Sequence, residues 1–559
     1  MKYNKIIIFV FCISIFGSCK KLDSGLDNPN SVDPSLANVD LLLNSAQLSF
    51  SSVYSTASDF GGQVTRQQQM FGPIYRNAYS PETFDGLWTS AYQGSIININ
   101  TLLPTALLQK KYVQAGIAQV MKAYILGTLV DNFGNVPNSE SALGEVNLNP
   151  RADAGAEVYK TVFALLDSAI SNFTKPGAGA NPTNDLFYGG NKAKWATAAK
   201  TLKLKFYMQT RLVDEVNVTS KVTALMTAND LILADANDLM FKYSTQNSLP
   251  DSRHPHYAAN YNNAVTGSNS ANDFIGNYFM WAVGVEKSGT GSVSNLDPRR
   301  RYYFYRQRTN YADANTSSCP CTLQSSPYTP DMPFCLVGAG YWGRDHGDNT
   351  GIPPDGNLRT TWGVYPAAGD FDDSQGTSVN NSRGGKGAGI DPIWISSFTY
   401  FLEAEAALKL NITVSGTARS LLEKGIRASI AKVVAFPATV NVSVPASRVP
   451  TAAGITDYVN TVLANYDAAT TANKLDIIMK EYYIAAWGNG IEVYNNYRRT
   501  GSPNNMQPVL STPTPGFFIR SFFYPSVYIN RNINAPAQKT PGTTTNKVFW
   551  DNNPDNFIK

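Results

Sequence analysis

The sequence has 559 residues, of which 43% are hydrophobic, 12% aromatic and only 16% charged. This composition is typical of a globular protein and excludes a largely disordered chain. The formal net charge is +4 and the basic residues are dispersed, so nucleic acid is excluded as an expected partner.

The N-terminus has the features of an export signal. Two lysines precede an apolar run, 6–16, that is too short to span a bilayer, which takes about 20 residues. Because Cys19 directly follows Phe-Gly-Ser, the segment resembles a bacterial lipobox, in which the cysteine is acylated and becomes the new N-terminus. The sequence therefore predicts a signal peptide over 1–18, a lipid on Cys19 and a flexible polar tether over 19–37. The alternative is an ordinary secreted protein.

Helical periodicity dominates the next part of the chain, 38–234. Helices are expected at 115–134, 152–173 and 195–212. Asp153 is a plausible N-cap for the second of these helices, and the lysines of the third lie mostly off its apolar face. Long helices separated by Gly, Pro and Asn turns suggest stacked antiparallel pairs.

The character of the sequence changes over 235–382, where Gly, Pro, Asn, Asp, Tyr and Trp dominate. Loop-rich segments of this length inside a compact protein are usually functional. The third part, 383–559, combines a return of helices with an aromatic, Asn-rich tail. Its helices are expected at 393–410, 418–436 and 472–487.

Three cysteines remain beyond the signal and the lipid position: Cys319, Cys321 and Cys335. An odd number in an exported protein predicts one disulfide and one free thiol. We expect the bond to join Cys335 to one of the other two cysteines. A metal site built from three thiolates is the alternative, but no histidine lies nearby.

One stretch of the loop-rich part, 340–366, concentrates aromatic and charged side chains. Its candidates for ligand contact are Trp342, Arg344, Asp345, His346, Asp348, Asp355, Arg359, Trp362 and Tyr365. Sugar rings have apolar C–H faces and a rim of hydroxyls, so they are bound by flat aromatics beside Asp, Asn and Arg. The alternative is a structural loop whose arginines pair with its own aspartates.

A second candidate group contains His254, His256 and Tyr257. The two histidines could form a zinc site with His346 if the fold brings the three rings together, although a structural loop cluster is the simpler interpretation. No cofactor is expected. Calcium is possible at Asp345, Asp348 and Asp355, yet the spacing of a calcium-binding helix–loop–helix motif fails because Gly356 stands where glutamate belongs.

Two carboxylates, Glu403 and Glu405, invite comparison with the acid pair of a glycosidase. Residues two apart on a helix point in different directions, so the two cannot face one bond. Glu405 shares the apolar stripe of its helix and therefore requires a buried partner, for which we predict Arg498 or Arg499 in an ion pair.

Several motifs together resemble a known family, the SusD/RagB-like nutrient-binding outer-membrane lipoproteins of Bacteroidetes. They are the lipobox at Cys19, "LVDNFGNVPNSESA" from Leu129, "FYGGNKAKWATAAKTLKLKFYMQTR" from Phe187, "DPRRRYYFY" from Asp297, "FLEAEAAL" from Phe401 and "IIMKEYYIAAWGNGIEVYNNYRRTG" from Ile477. Each motif is weak alone, whereas their order and spacing over nearly the whole chain are specific.

The resemblance implies a mainly α-helical fold, in which a solenoid of TPR-like helical pairs packs against a loop-rich ligand-binding portion. It implies a lipid-anchored protein on the outer surface of the outer membrane, which binds glycans or other nutrients and delivers them to a SusC-like TonB-dependent transporter without cleaving them. A surface-anchored glycoside hydrolase and a structural lid or adhesin without its own ligand are the alternatives.

Overall fold

The computed structural model describes residues 38–70, 79–177, 181–261, 273–288, 296–309, 319–323, 326–348, 358–510, 518–540, 546–555 and 557–558. The predicted signal peptide, the lipid on Cys19 and the tether lie outside the described residues, and so does Asp355.

The N-terminal part is helical. Its helices are α1 (Val39–Val64), α2 (Asp85–Thr89), α3 (Ile97–Leu108), α4 (Tyr112–Phe133), α5 (Gly155–Thr174), α6 (Lys192–Gln209) and α7 (Glu215–Ala228), with a π-helical segment, Ser90–Ile96, between α2 and α3. The three helices predicted from periodicity correspond to α4, α5 and α6. Each helix from α4 to α7 packs against the next, as expected for a stack of helical pairs.

The middle part contains short elements. Its helices are α8 (Pro255–Tyr261), α9 (Asn277–Gly284) and α10 (Arg300–Tyr303). Its strands are β1 (Leu239–Lys242), β2 (Phe304–Tyr305), β3 (Thr361–Trp362) and β4 (Ile390–Trp394). The strands form two antiparallel pairs, β1 with β4 and β2 with β3.

The C-terminal part is helical again. Its helices are α11 (Ser396–Lys409), α12 (Ala418–Thr439), α13 (Ala452–Ala468), α14 (Thr471–Ala485), α15 (Gly490–Thr500) and α16 (Ser526–Ile529). Each helix from α11 to α15 packs against the next, and α15 also packs against α1. Where α1 and α15 meet, a Cβ on Gly61 would lie 2.1 Å from the Gly490 carbonyl oxygen, so only glycine permits this approach. The fold is mainly α-helical, and its likeness to TPR repeats stays a prediction.

One helix, α4, has the length and apolarity of a membrane span, but 94% of its most apolar window is buried inside the protein. Helices α1, α3, α5 and α6 surround it. It is therefore the central helix of the core, where an apolar surface on all sides is expected.

The start of α5 corrects the prediction for Asp153. The N-cap position is Ala154, and the first helical N–H group is bonded instead by the Asn135 side chain, 3.0 Å from the Gly155 nitrogen. The Asp153 carboxylate accepts hydrogen bonds from the backbone of Asn138 and Ser139, both at 2.8 Å. The turn after α4 presents two free N–H groups to this carboxylate, which therefore closes that turn.

The lysines of α6 also differ from expectation. Lys200 and Lys203 lie at the surface in ion pairs, but Lys205 is buried and lies 2.5 Å from the Glu492 carboxylate of α15. The amphipathic pattern failed here because α6 is covered on a second face by α15. A buried lysine is tolerated only where such a counter-charge is present.

The predicted partner of Glu405 is Arg499, whose Nη2 lies 2.7 Å from Glu405 Oε2. A second guanidinium, which sequence reasoning missed, is that of Arg211 at the end of α6, with Nε 2.8 Å from Oε1. Burial alone would raise the pKa of Glu405, but the two arginines lower it to about 2. Arg498 does not pair with Glu405. Its guanidinium bonds the carbonyl oxygens of Asp131 and Arg520, because consecutive residues of a helix point in different directions.

Replacing Glu405 by Ala should lower the free energy of unfolding by about 3–5 kcal/mol, because two buried guanidinium groups lose their counter-charge. Since the pKa is lowered on folding, the contribution of Glu405 is complete above pH 4.5 and is lost as the pH falls toward 2. Urea unfolding at several pH values measures both effects. Asp467→Ala is the control, since this carboxylate pairs with Arg419 at the surface, where its side chain is 50% exposed. An equal loss in both variants would contradict the account.

Candidate functional site

The described parts of the aromatic and charged stretch, 340–348 and 358–366, run through the interior. Each of its described candidates has at most 8% of its surface exposed, and Trp362 and Tyr365 have none. Arg359 lies over the ring of Trp342, 4.0 Å from its centroid, and Arg344 pairs with Asp348 at 3.6 Å. A ring can bind a sugar only with an exposed face. In this structure, therefore, these side chains pack the loops, as in the structural alternative, and do not form a ligand platform.

Asp345 and His346 also have internal roles. The two carboxylate oxygens of Asp345 accept hydrogen bonds from Asn277 Nδ2 at 2.7 Å and from the Tyr328 hydroxyl at 3.0 Å. The backbone of His346 bonds the Gln507 side chain and the Leu510 amide, while burial lowers the pKa of its ring well below the usual value. Both residues hold neighbouring loops together and neither faces solvent.

Tyr365 closes the far end of this stretch. Its ring packs 5.7 Å from the ring of Tyr303 and 5.3 Å from that of Phe436 in α12. Burial raises the pKa of its hydroxyl well above the usual value. Tyr365 thus belongs to the core, and the structure corrects its assignment as a ligand contact.

The second candidate group lies on or next to α8. His254 packs against the Tyr243 ring at 5.0 Å, and burial lowers its pKa well below the usual value, so it is neutral. Tyr257 stacks on Tyr261, with centroids 4.8 Å apart and planes 4° from parallel. These two residues are packing residues, whereas their neighbour His256 is placed differently.

His256 is the centre of a charged cluster that we call the acidic edge cluster: Asp59, His256, Asp273 and Trp362. The Nε2 atom of His256 lies 2.9 Å from Asp59 Oδ1, and its Nδ1 is hydrogen-bonded to Asp273 Oδ2. The Trp362 indole donates to the same Asp273 oxygen at 2.9 Å. The elements α1, α8 and β3 supply three of these residues, and Asp273 lies a few residues before α9.

The imidazole of His256 is charged at neutral pH. Burial alone would lower its pKa, but the neighbouring carboxylates of Asp59 and Asp273 raise it to about 10. Its ring stacks on Trp362 with centroids 3.7 Å apart, and Trp362 stacks in turn on Trp487 at 4.0 Å. Cation–π attraction and the two carboxylates therefore hold the imidazolium in one orientation.

Part of the acidic edge cluster reaches solvent. The side chains of Asp59 and Asp273 are 31% and 23% exposed, and that of His256 is 10% exposed. Among the described residues, no side chain or backbone group donates to Asp59 Oδ2 or Asp273 Oδ1. Each carboxylate thus retains an acceptor for an incoming hydroxyl group.

Sequence reasoning had identified His256 and Trp362 but missed Asp59, Asp273 and Trp487. Asp59 lies inside a long helix and Asp273 follows a polar stretch of the sequence, so neither has a local signal. Only the fold brings them to one imidazole.

The cysteines form one disulfide, between Cys319 and Cys335, and leave Cys321 as a buried free thiol. Burial raises the pKa of the Cys321 thiol to about 12, so it is protonated at neutral pH and a poor nucleophile. The bond fastens the loop that carries Tyr328 and Phe334.

The histidines and aspartates of the described residues do not form a metal site. Within the described part of the chain, no group of three His, Cys, Asp or Glu side chains is arranged to hold a metal ion. The rings of His254 and His256 are 5.4 Å apart, while His346 bonds other loops. Calcium stays a prediction, because Asp355 lies outside the described residues.

Two family models match this chain. One, described as "Starch-binding associating with outer membrane", covers residues 29–317, and the other, "Susd and RagB outer membrane lipoprotein", covers 373–533. The chain belongs to the SusD-like family. Membership places the protein at the outer membrane. No curated protein sequence matches it.

Solved structures agree with the fold of this SusD-like protein. A chitin-binding protein superposes with a TM-score of 0.64 at 20% identity, covering 92% of this chain and 100% of its own. A chitin-binding SusD homologue from Flavobacterium johnsoniae gives 0.62 at 18% identity, with coverages of 92% and 100%. A SusD/RagB family protein from Bacteroides thetaiotaomicron gives 0.63 at 18% identity, with coverages of 93% and 100%.

The charge on His256 should make stability depend on pH. Because its pKa rises on folding from 6.5 to about 10, its contribution is complete below pH 6.5 and is lost as the pH rises toward 10. His256→Gln should therefore destabilise the SusD-like protein strongly at pH 6 and far less at pH 10 in urea unfolding. His254→Gln should leave the alkaline profile unchanged, since that ring is neutral in both states there. A pH-independent loss in His256→Gln would contradict the assignment.

Proposed function

We propose that this SusD-like protein binds oligosaccharides at the cell surface and passes them to a SusC-like TonB-dependent transporter. The observation that carries the proposal is family membership, since one of the two models is described as starch-binding. The chitin-binding neighbours support the same ligand class, because they share this fold over nearly their whole length.

We place the glycan at the acidic edge cluster. Sugar hydroxyls are hydrogen-bond donors, and the uncommitted oxygens of Asp59 and Asp273 are acceptors held in fixed positions. The carboxylates are fixed because the imidazolium of His256 bridges them and because Trp362 and Trp487 support the ring from below. A preorganised site of this kind loses little entropy when a flexible oligosaccharide binds.

The same geometry favours binding without cleavage. A glycosidase needs a protonated and an ionised carboxyl group on opposite sides of one bond, with open space between them. Here the His256 ring fills the space between the two carboxylates. Glu403 and Glu405 do not form such a pair either. Burial raises the pKa of Glu403 to about 7, while Glu405 forms ion pairs with Arg211 and Arg499.

The lipid on Cys19 and the transporter partner complete the proposal. A diacylated cysteine followed by a polar tether would hold the domain at the membrane surface while leaving its loops free to face a transporter. The family description as an outer-membrane lipoprotein supports the anchor.

Calorimetric titration of the full chain with chitohexaose and with maltohexaose tests the proposal. At least one of the two should bind saturably, and Asp59→Ala and Asp273→Asn should each weaken binding by about tenfold, the effect of losing one strong hydrogen bond. Asp467→Asn, at a surface ion pair remote from the cluster in sequence, should bind like the original chain.

Circular dichroism and thermal unfolding establish that each variant is folded before its affinity is compared. Chromatography of the recovered sugar checks for cleavage. Failure of both sugars to bind, unchanged affinity in the folded variants, or the appearance of shorter sugars would contradict the proposal.

A further inference from the structure

A second concave region lies outside the acidic edge cluster. A cavity of about 770 Å³ opens between α11 and α12 on one side and β1 and β4 on the other. A neighbouring cavity of about 550 Å³ extends it toward the end of α7. The two share Leu233, Tyr400 and Lys424, so they form one trough, which we call the α12 trough. No residue of the acidic edge cluster lines it.

The floor of the α12 trough is apolar and accessible. Ala428, Ala431 and Ala435 follow one another at helical spacing along α12, and Ala431 and Ala435 are exposed. Met240 and Ile390 of the β1–β4 pair face them across the cavity. Small side chains on an exposed helix face leave room that larger residues would fill, so an apolar group of moderate size fits here.

The rim of the α12 trough is basic, and only some of its basic side chains form ion pairs. Lys432 pairs with Asp235 at 2.7 Å and with Asp238 at 3.1 Å. Arg427 pairs with Glu423 at 2.8 Å.

Lys242 and Lys424 form no ion pair with any described residue, and both are exposed at the mouth of the trough. The trough therefore carries two lysines without an ion pair among the described residues, beside an apolar floor. Their positive charge attracts anions.

The ring of Tyr400 fixes the position of one of these charges. The Lys424 ammonium lies 5.9 Å from the Tyr400 centroid, and the Tyr400 hydroxyl is anchored on the Leu233 carbonyl oxygen at 2.9 Å. Glu403 is the nearby carboxyl group in the second cavity, where it accepts a hydrogen bond from Ser415 at 2.9 Å. Burial raises the pKa of Glu403 to about 7, although Ser415 and Lys424 act in the opposite direction, so this carboxyl group is partly protonated at neutral pH.

We propose that the α12 trough is a second ligand site, which takes a small carboxylate with an apolar body. The volume of its larger cavity, about 770 Å³, lies within the range of small-molecule sites, about 300–1,000 Å³. The apolar body would cover the alanines of α12, and the carboxylate would lie between Lys242 and Lys424. A neutral sugar would satisfy neither the apolar floor nor the two ammonium groups.

Titration of the full chain with 2-naphthoate and 2-naphthamide tests the proposal, because the two probes share one apolar body and differ in charge. The naphthoate should bind about tenfold more tightly than the amide, the effect of one charge-assisted contact. The double variant Lys242→Met/Lys424→Met should remove this difference because it removes both ammonium groups, while Ala431→Trp should abolish binding of both probes by filling the trough. Ala435→Trp serves as a second filling variant if Ala431→Trp does not fold.

Lys474→Met is the matched control, since Lys474 lies over the Tyr466 ring at 5.1 Å but does not line the trough. It should bind both probes like the original chain. Equal affinity for the two probes, binding that survives both filling variants, or no saturable binding would overturn the proposal. Chitohexaose and maltohexaose titrations of Ala431→Trp separate the two sites, because filling the trough should leave sugar binding unchanged.

Discussion

The Glu405 carboxylate, closed off from solvent between Arg211 and Arg499, is the constraint on which the arrangement of the helices depends. It joins α11 to the end of α6 and to α15, which are far apart in the sequence. The same helix α15 supplies Glu492 to the buried Lys205. Buried charges are costly unless they are paired, so these ion pairs disfavour any packing of the three helices that would separate them.

Helix α15 also contacts the parts of the structure that carry the acidic edge cluster. On another face of this helix, Arg498 lies 3.6 Å from the Tyr494 centroid and bonds the backbone of α4 and of the C-terminal tail. Its first residue, Gly490, touches α1 two residues beyond Asp59. Trp487, just before α15, supports the Trp362 ring. The acidic edge cluster is therefore positioned by the helical core and not by the loops alone.

Periodicity was sufficient to predict α4, α5, α6, α11, α12 and α14, because their apolar faces repeat every three to four residues, whereas α1 was not predicted. Periodicity also predicted that Glu405 has a buried partner, because this charged residue lies on the apolar face of its helix. Two local predictions were wrong. Lys205 is buried because α6 is covered on two sides, and the Asp153 carboxylate bonds the turn after α4 and does not cap α5.

The loop-rich part was harder to predict. The residue types of Arg344, Asp345 and Arg359 are those found in sugar-binding sites. Residue types alone, however, do not show whether a loop lies at the surface or in the interior. The hydrogen bonds of Asp345 to Asn277 and Tyr328 decide that question, and they join segments distant in sequence. The same holds for Asp59 and Asp273, which only the fold brings to His256.

Hydrogen–deuterium exchange of the full chain, with and without the hexasaccharide that binds, tests the central claim most directly. The account predicts slower exchange in peptides around Asp59 and Asp273, unchanged exchange along α12, and recovery of the hexasaccharide intact. Protection along α12 without protection around Asp59 and Asp273, or recovery of shorter sugars, would contradict it.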